Sequence, residues 1–217
     1  MKKVMIILLI VFIILISGGV VFLYINNYIP HKMYSSGYFN IEPYKSKIDK
    51  DEDGIDDQTD FLMGVRSYIA KSPKYKSKYY GTGYPNDEYG VCTDVVAFGL
   101  LSSGYDIMEL LNVDVKNNKD EYNITTIDKK IDFRRVNNLN TYLKRNAISL
   151  TTNIKEIDEW MGGDIVVFSK HIAVVSNMRN RKGIPFIIHH ANNYQSSYEE
   201  DKLELYKEDI IGHYRIS

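Results

Sequence analysis

The chain has 217 residues and a formal net charge of −1, enough for one domain of ordinary size plus an appendage. So balanced a charge excludes a nucleic-acid binder working through a basic surface, and a strongly acidic protein. The single cysteine, Cys92, closes no intrachain disulfide, no internal repeat is present, and nothing calls for an organic cofactor.

Residues 1–25 read as a cytoplasmic tip and a membrane anchor. No charged residue falls between Val4 and Ile25, and at about 1.5 Å per residue that run covers roughly 33 Å, against a hydrocarbon core of about 30 Å. A cleaved signal peptide is the rival reading, because Ser17, Gly18 and Gly19 are small. The apolar run resumes at Val20-Val21-Phe22-Leu23, however, and favours a retained signal anchor. Lys2 and Lys3 precede the span and predict a single-pass protein of the cell membrane with the bulk of the chain outside.

Residues 26–48, with Pro30 and Pro43 and no clear period, are expected to form a stalk. Residues 49–60 match the twelve-position calcium loop of EF-hands. Oxygen ligands fall at Asp49, Asp51, Asp53, Asp57 and Asp60, Gly54 takes the sharp turn, and Ile55 offers its carbonyl. Asp60 replaces the usual glutamate and only the exiting helix is evident, so a structural Ca²⁺ of modest affinity is expected, folding the stalk against the domain. The bland reading is a solvated acidic linker, which does not explain glycine at that one position.

The domain proper is assigned to residues 61–217. Phe61, Leu62, Val65 and Ile69 have helical spacing that stops before Pro73. A loop rich in Lys, Tyr and Gly runs to Gly90, and Cys92 then opens a helix that is apolar almost all round through Leu101, the expected central buried helix. Another helix is predicted over Val136 to Arg145. Short β-type runs follow at 165–168, 172–176 and 185–189. Strands gathered after helices predict an α+β domain with an antiparallel sheet.

Three residues carry candidate chemistry. A thiol attacks as thiolate, and unpaired N–H groups in the first turn of a helix favour that anion. Cys92 is placed there, although Asp94 opposes it and most unpaired cysteines are small buried hydrophobes. His171 and His189 lie nine residues either side of residue 180, within an Asn180-Arg181-Lys182-Gly183 turn. In a hairpin without bulges they stand directly opposite and share a face, with His190 pointing away. A base oriented by a third polar group and facing a thiol is the general form of a Cys-His nucleophile system.

The runs Gly90-Val91-Cys92-Thr93-Asp94-Val95-Val96, Asp132-Phe133-Arg134-Arg135-Val136, Gly163-Asp164-Ile165-Val166, His171-Ile172-Ala173-Val174-Val175, Ile188-His189 and Gly212-His213-Tyr214-Arg215 resemble the bacterial domain-of-unknown-function family 1287. That family is itself similar to the NlpC-like branch of papain-fold cysteine peptidases. The resemblance implies a papain-like domain with a buried nucleophile helix packed on the sheet, Cys92 as nucleophile, His171 as base and then acid, and His189 as the orienting residue. Val91-Cys92-Thr93 departs from the usual Asp-Cys-Ser and leaves the substrate open. Asp164 reads as structural, Arg134 and Arg135 as partners of Asp132 and Asp128 or of substrate carboxylates. Tyr79, Tyr80, Tyr84 and Tyr89 read as groove walls or loop packing.

The expected function is a membrane-anchored extracytoplasmic Cys-His amide hydrolase acting on cell-wall peptidoglycan peptides. The alternative is a non-catalytic, calcium-dependent cell-wall binding or scaffolding protein on the same fold.

Overall fold

The computed structural model describes residues 2–216 and divides into a unit ending at Lys32 and a second beginning at Met33. The first unit holds α1 (Lys2–Ile25), long and apolar enough to cross a membrane, as a signal sequence also is.

The second unit is a mixed α/β domain. Its helices are α2 (Asp57–Ala70), α3 (Cys92–Ser102), α4 (Ile107–Asn117), α5 (Lys129–Asp132) and α6 (Val136–Asn146). The strands are β1 (Tyr34–Ser35), β2 (Lys74–Tyr75), β3 (Tyr89–Gly90), β4 (Ile148–Ser149), β5 (Ile165–Phe168), β6 (Ile172–Arg179), β7 (Pro185–Ile188), β8 (Glu199–Glu200) and β9 (Ile210–Arg215). One antiparallel sheet runs in the order β4-β9-β5-β6-β7-β8, with β1 also paired to β6, and β2 and β3 form a separate parallel pair.

Both faces of the sheet are covered. Ile165, Val167, Ile172, Val174 and Ile188 meet the helices through Phe61, Val65, Val95 and Val96. Val166, Ala173, Val175 and Ile187 pack under Trp160, Ile154 and Leu203 on the other side. A strand buried on both faces has no polar positions to alternate, which is why β5 and the first four residues of β6 read as unbroken apolar runs. Helix α3 is central as expected, with Val95, Val96, Ala97 and Leu100 buried, although Leu101 reaches solvent.

The stalk expected over 26–48 needs correction: the folded body begins at Met33, well before Asp49. Tyr34 and Ser35 pair with Arg179 and Met178, and Ile41 is buried. The reason is Arg179, a fully buried cation. Its guanidinium is satisfied by Ser36 Oγ at 3.0 Å, the Ile157 and Gly183 carbonyls at 2.8 Å, and the Trp160 carbonyl. An unpaired buried charge is costly, and residue 36 supplies one of its acceptors.

Candidate functional site

Cys92 opens α3 after Val91, whose N–H donates to Asp94 Oδ2 at 2.8 Å. Asp94 is fully buried and neutralised by Arg134, which grips both oxygens at 2.7 and 2.8 Å and also donates to the Lys78 carbonyl. The sequence offered Asp132, Asp128 or a substrate carboxylate as its partner; Arg134 pairs with Asp94 instead. Thr93 Oγ1 donates to the Arg134 carbonyl at 3.3 Å, so this buried pair fixes the start of the helix.

The thiol is half-buried where α3 meets the first residues of β6. Burial pushes it up to about 11, outweighing the backbone N–H groups of Ile172 and Thr93 that favour the anion, while Asp94 adds to the rise. The expected lowering by the helix terminus is thus overridden by desolvation. His171 goes the other way: burial, then the neighbouring His189 and His190, pull it down to about 3. The resting pair is neutral thiol and neutral imidazole, and among the described residues no hydrogen bond joins them.

His171 and His189 do come together, with His171 Nε2 and His189 Nδ1 2.8 Å apart. The expected register does not hold. Val174 faces Ile188 and Val175 faces Ile187, and a register shift lies between Val175 and Arg179. One step beyond Ile188, His189 stands opposite Ala173 rather than His171. The offset is two residues, which keeps both histidines on one face as diagonal neighbours.

The chain of contacts continues to a residue the sequence did not single out. His189 Nε2 lies 2.9 Å from Glu200 Oε2, and both side chains are buried. Ile188 faces Glu199, so His189 faces Tyr198 and Glu200 is again diagonal. An ionised carboxylate only accepts, so His189 donates from Nε2 and accepts at Nδ1 from His171 Nε2–H. This tautomer leaves Nδ1 of His171 with a free lone pair, as a base requires. Glu200 sits in a run of acidic residues that reads as a solvated surface. Its neighbour Glu199 is held by Arg66 at 3.1 Å and by Ser176.

A model of the family described as Domain of unknown function (DUF1287) matches residues 63–216. The chain belongs to this family. It is 34% identical over 165 residues to a protein of Escherichia coli (strain K12) described as uncharacterized protein YijF, a match covering 70% of this chain and 78% of that protein. No solved structure matches.

Within the DUF1287 span, Cys92, His171, His189 and Glu200 lie around the ends of β6 and α3, while the Gly163-Asp164 and Gly212-His213-Tyr214-Arg215 runs meet elsewhere. Asp164 is completely buried and bound by Arg215 at 2.7 and 2.8 Å, by His213 at 3.0 Å and by the Met161 N–H at 2.7 Å. Trp160 stacks on His213 with ring centres 3.7 Å apart. Asp164 is structural.

His190, expected to point away, lies opposite Ile172 on the helix-facing side of the DUF1287 sheet. It is 3% exposed with Nδ1 unpartnered, and meets Tyr75 and Tyr198 edge-on at 5.3 and 5.2 Å. Burial, and then the nearness of Cys92, raise the Tyr75 hydroxyl, which places this tyrosine close to the thiol. Tyr79, Tyr80 and Tyr84 are instead tied to Asp128, Asp87 and Asp106, which is loop packing. A cavity of about 410 Å³ is lined by Glu121, Arg135, Asn138, Thr141, Ser169 and Lys170 among others. Arg135 follows the residue bonded to Thr93, and Lys170 precedes His171; both are exposed and, among the described residues, neither forms an ion pair.

The acidic loop stands before the DUF1287 match. Asp49, Asp51 and Asp53 each bring a carboxylate oxygen within 4.8 Å of the others. Asp57 is turned to structure, accepting from Lys50 N–H at 2.7 Å and from the Tyr105 hydroxyl, which corrects its expected role as a direct ligand. Burial and the charges of Asp51, Asp53, Asp57 and Asp49 push the Asp60 carboxyl up to about 6.

Proposed function

We propose that this protein is a membrane-anchored, extracytoplasmic Cys-His amide hydrolase with a papain-like catalytic arrangement. The observation that carries this reading is the Glu200–His189–His171 chain, which orients an imidazole with its Nδ1 lone pair free, next in sequence to Ile172, whose backbone N–H meets the Cys92 thiol.

Because the resting pair is neutral, the thiol proton leaves as sulfur attacks. Nδ1 of His171 takes the proton while Cys92 Sγ bonds to the amide carbon, and the imidazolium is stabilised through His189 by the Glu200 charge. His171 then returns the proton to the departing amine, leaving a thioester. Water, deprotonated by His171, attacks the thioester, and the acid is released with the thiol restored. The contact between thiol and imidazole closes when substrate is bound; catalytic hydrogen bonds are often long before then.

Cell-wall stem peptides suit the site. They carry carboxylates that Arg135 and Lys170 in that cavity can pair with, and α1 with Lys2 and Lys3 at its start suits a domain held outside the membrane.

The test is digestion of purified peptidoglycan by the full-length protein in detergent, with fragments read by mass spectrometry. Wild type is expected to release peptide fragments and Cys92→Ala none. Glu200→Gln is expected to lower the rate by about 10²-fold, the lower end of a general acid–base contribution, and to shift the acid limb of the pH–rate profile. Equal products from wild type and Cys92→Ala would sink the proposal.

A further inference from the structure

Residues 49–60 are not used by the hydrolase reading, and their geometry asks for a cation. Oxygens sharing one Ca²⁺ at about 2.4 Å can lie no further apart than about 4.8 Å, and the carboxylates of Asp49, Asp51 and Asp53 meet that limit. Those three are exposed, and exposed acidic groups gather without any ion, so closeness alone decides nothing.

The second observation is Asp60. Its residue is only 7% exposed, and its Oδ2 is buried with no hydrogen-bond partner. A buried carboxylate oxygen left unpaired costs free energy that a coordinated cation offsets. Asp60 also stands at the twelfth position, where such a loop closes on its ion. Gly54 has φ of +91° at the sixth, the left-handed turn that the loop needs.

We propose that this loop binds one calcium ion through the carboxylates of Asp49, Asp51 and Asp53, which already meet that limit, through Asp60, whose carboxylate lies outside that trio and moves in as the loop closes, and through the carbonyl of Ile55, with water completing the shell. Magnesium fits poorly, because it holds ligands at about 2.0–2.1 Å in strict octahedral geometry and keeps its own waters. Asp57 contributes by fixing the loop: it ties Lys50 to Tyr105, and a Cβ placed on Gly104 would meet Lys50 Cγ at 3.1 Å and Asp51 Cβ at 3.2 Å. The ion therefore fastens the start of α2 to the turn after α3, at the opposite end of α3 from Cys92. Its effect is on stability and leaves the thiol alone.

The experiment uses full-length protein in detergent, stripped with chelator, titrated calorimetrically with CaCl₂ or MgCl₂, and followed by thermal unfolding. Expected are one Ca²⁺ per chain with a Kd of about 10⁻⁴ to 10⁻³ M, a rise in the unfolding midpoint, no such response to Mg²⁺, and an unchanged alkylation rate at Cys92. Asp51→Asn, at an exposed position, is expected to weaken Ca²⁺ at least about tenfold; Asp60→Asn should do the same if it folds. No saturable Ca²⁺ heat, an equal response to Mg²⁺, or undiminished binding by Asp51→Asn overturns the proposal. None of these results depends on whether peptidoglycan is cleaved.

Discussion

Cys92 shows how two local effects compete at one atom. The start of α3 and the Ile172 N–H favour a thiolate, yet removing the sulfur from water costs more, and the thiol is held up to about 11. A group whose pKa is raised stays protonated until the pH climbs towards that value. Alkylation of Cys92 by iodoacetamide should therefore be slower at pH 8 than that of free cysteine, whose pKa is about 8.5, and should still be rising past pH 9. A rate that levels off below pH 8 would show a preformed thiolate–imidazolium pair instead. The Cys92→Ala and Glu200→Gln comparisons belong to the same scale, since each changes one side chain of the proposed site.

At the scale of elements, the hairpin carries the site and α2–α3 packing supports it. The pairing of His171 with His189 survived a wrong register because the error was two residues, and strand faces repeat every two. A slip of one would have separated them. Helices α2 and α3 touch closely at Gly99, where a Cβ would stand 2.4 Å from Val65 Cγ2 and 2.7 Å from Phe61 Cε2. Gly99→Ala should cost about 1–3 kcal/mol by overpacking and lower the unfolding midpoint by about 2–4 °C per kcal/mol for a domain of this size. Gly81→Ala, where nothing lies within 4 Å, is the control and should leave the midpoint unchanged. Equal midpoints for the two variants would mean that the helices can separate without loss.

For the whole molecule the question is which side of the membrane the domain occupies. Lys2 and Lys3 open α1 and the rest of it is uncharged, and positive flanks are retained in the cytoplasm. An alkaline phosphatase fused after the last residue should be active, because that enzyme folds only outside the cytoplasm; an inactive fusion with a fluorescent cytoplasmic reporter in its place would reverse the orientation. The folded body starts at Met33, so few residues separate it from the end of α1 at Ile25.

What the sequence by itself determined was whatever depends on spacing along the chain. The apolar run of α1, the buried helix behind Cys92, the acidic loop with glycine at its sixth position and the shared face of His171 and His189 all follow from periodicity and local turn chemistry. Tertiary structure decided what depends on distant partners. Arg134 turned to Asp94 because that carboxylate is buried without another cation, residues 33–48 docked because Arg179 needed acceptors, and Glu200 joined the histidines because β8 pairs beside β7. The ionisation of Cys92 also belongs there, since desolvation is a property of the packed domain and no pattern of neighbours in the chain encodes it.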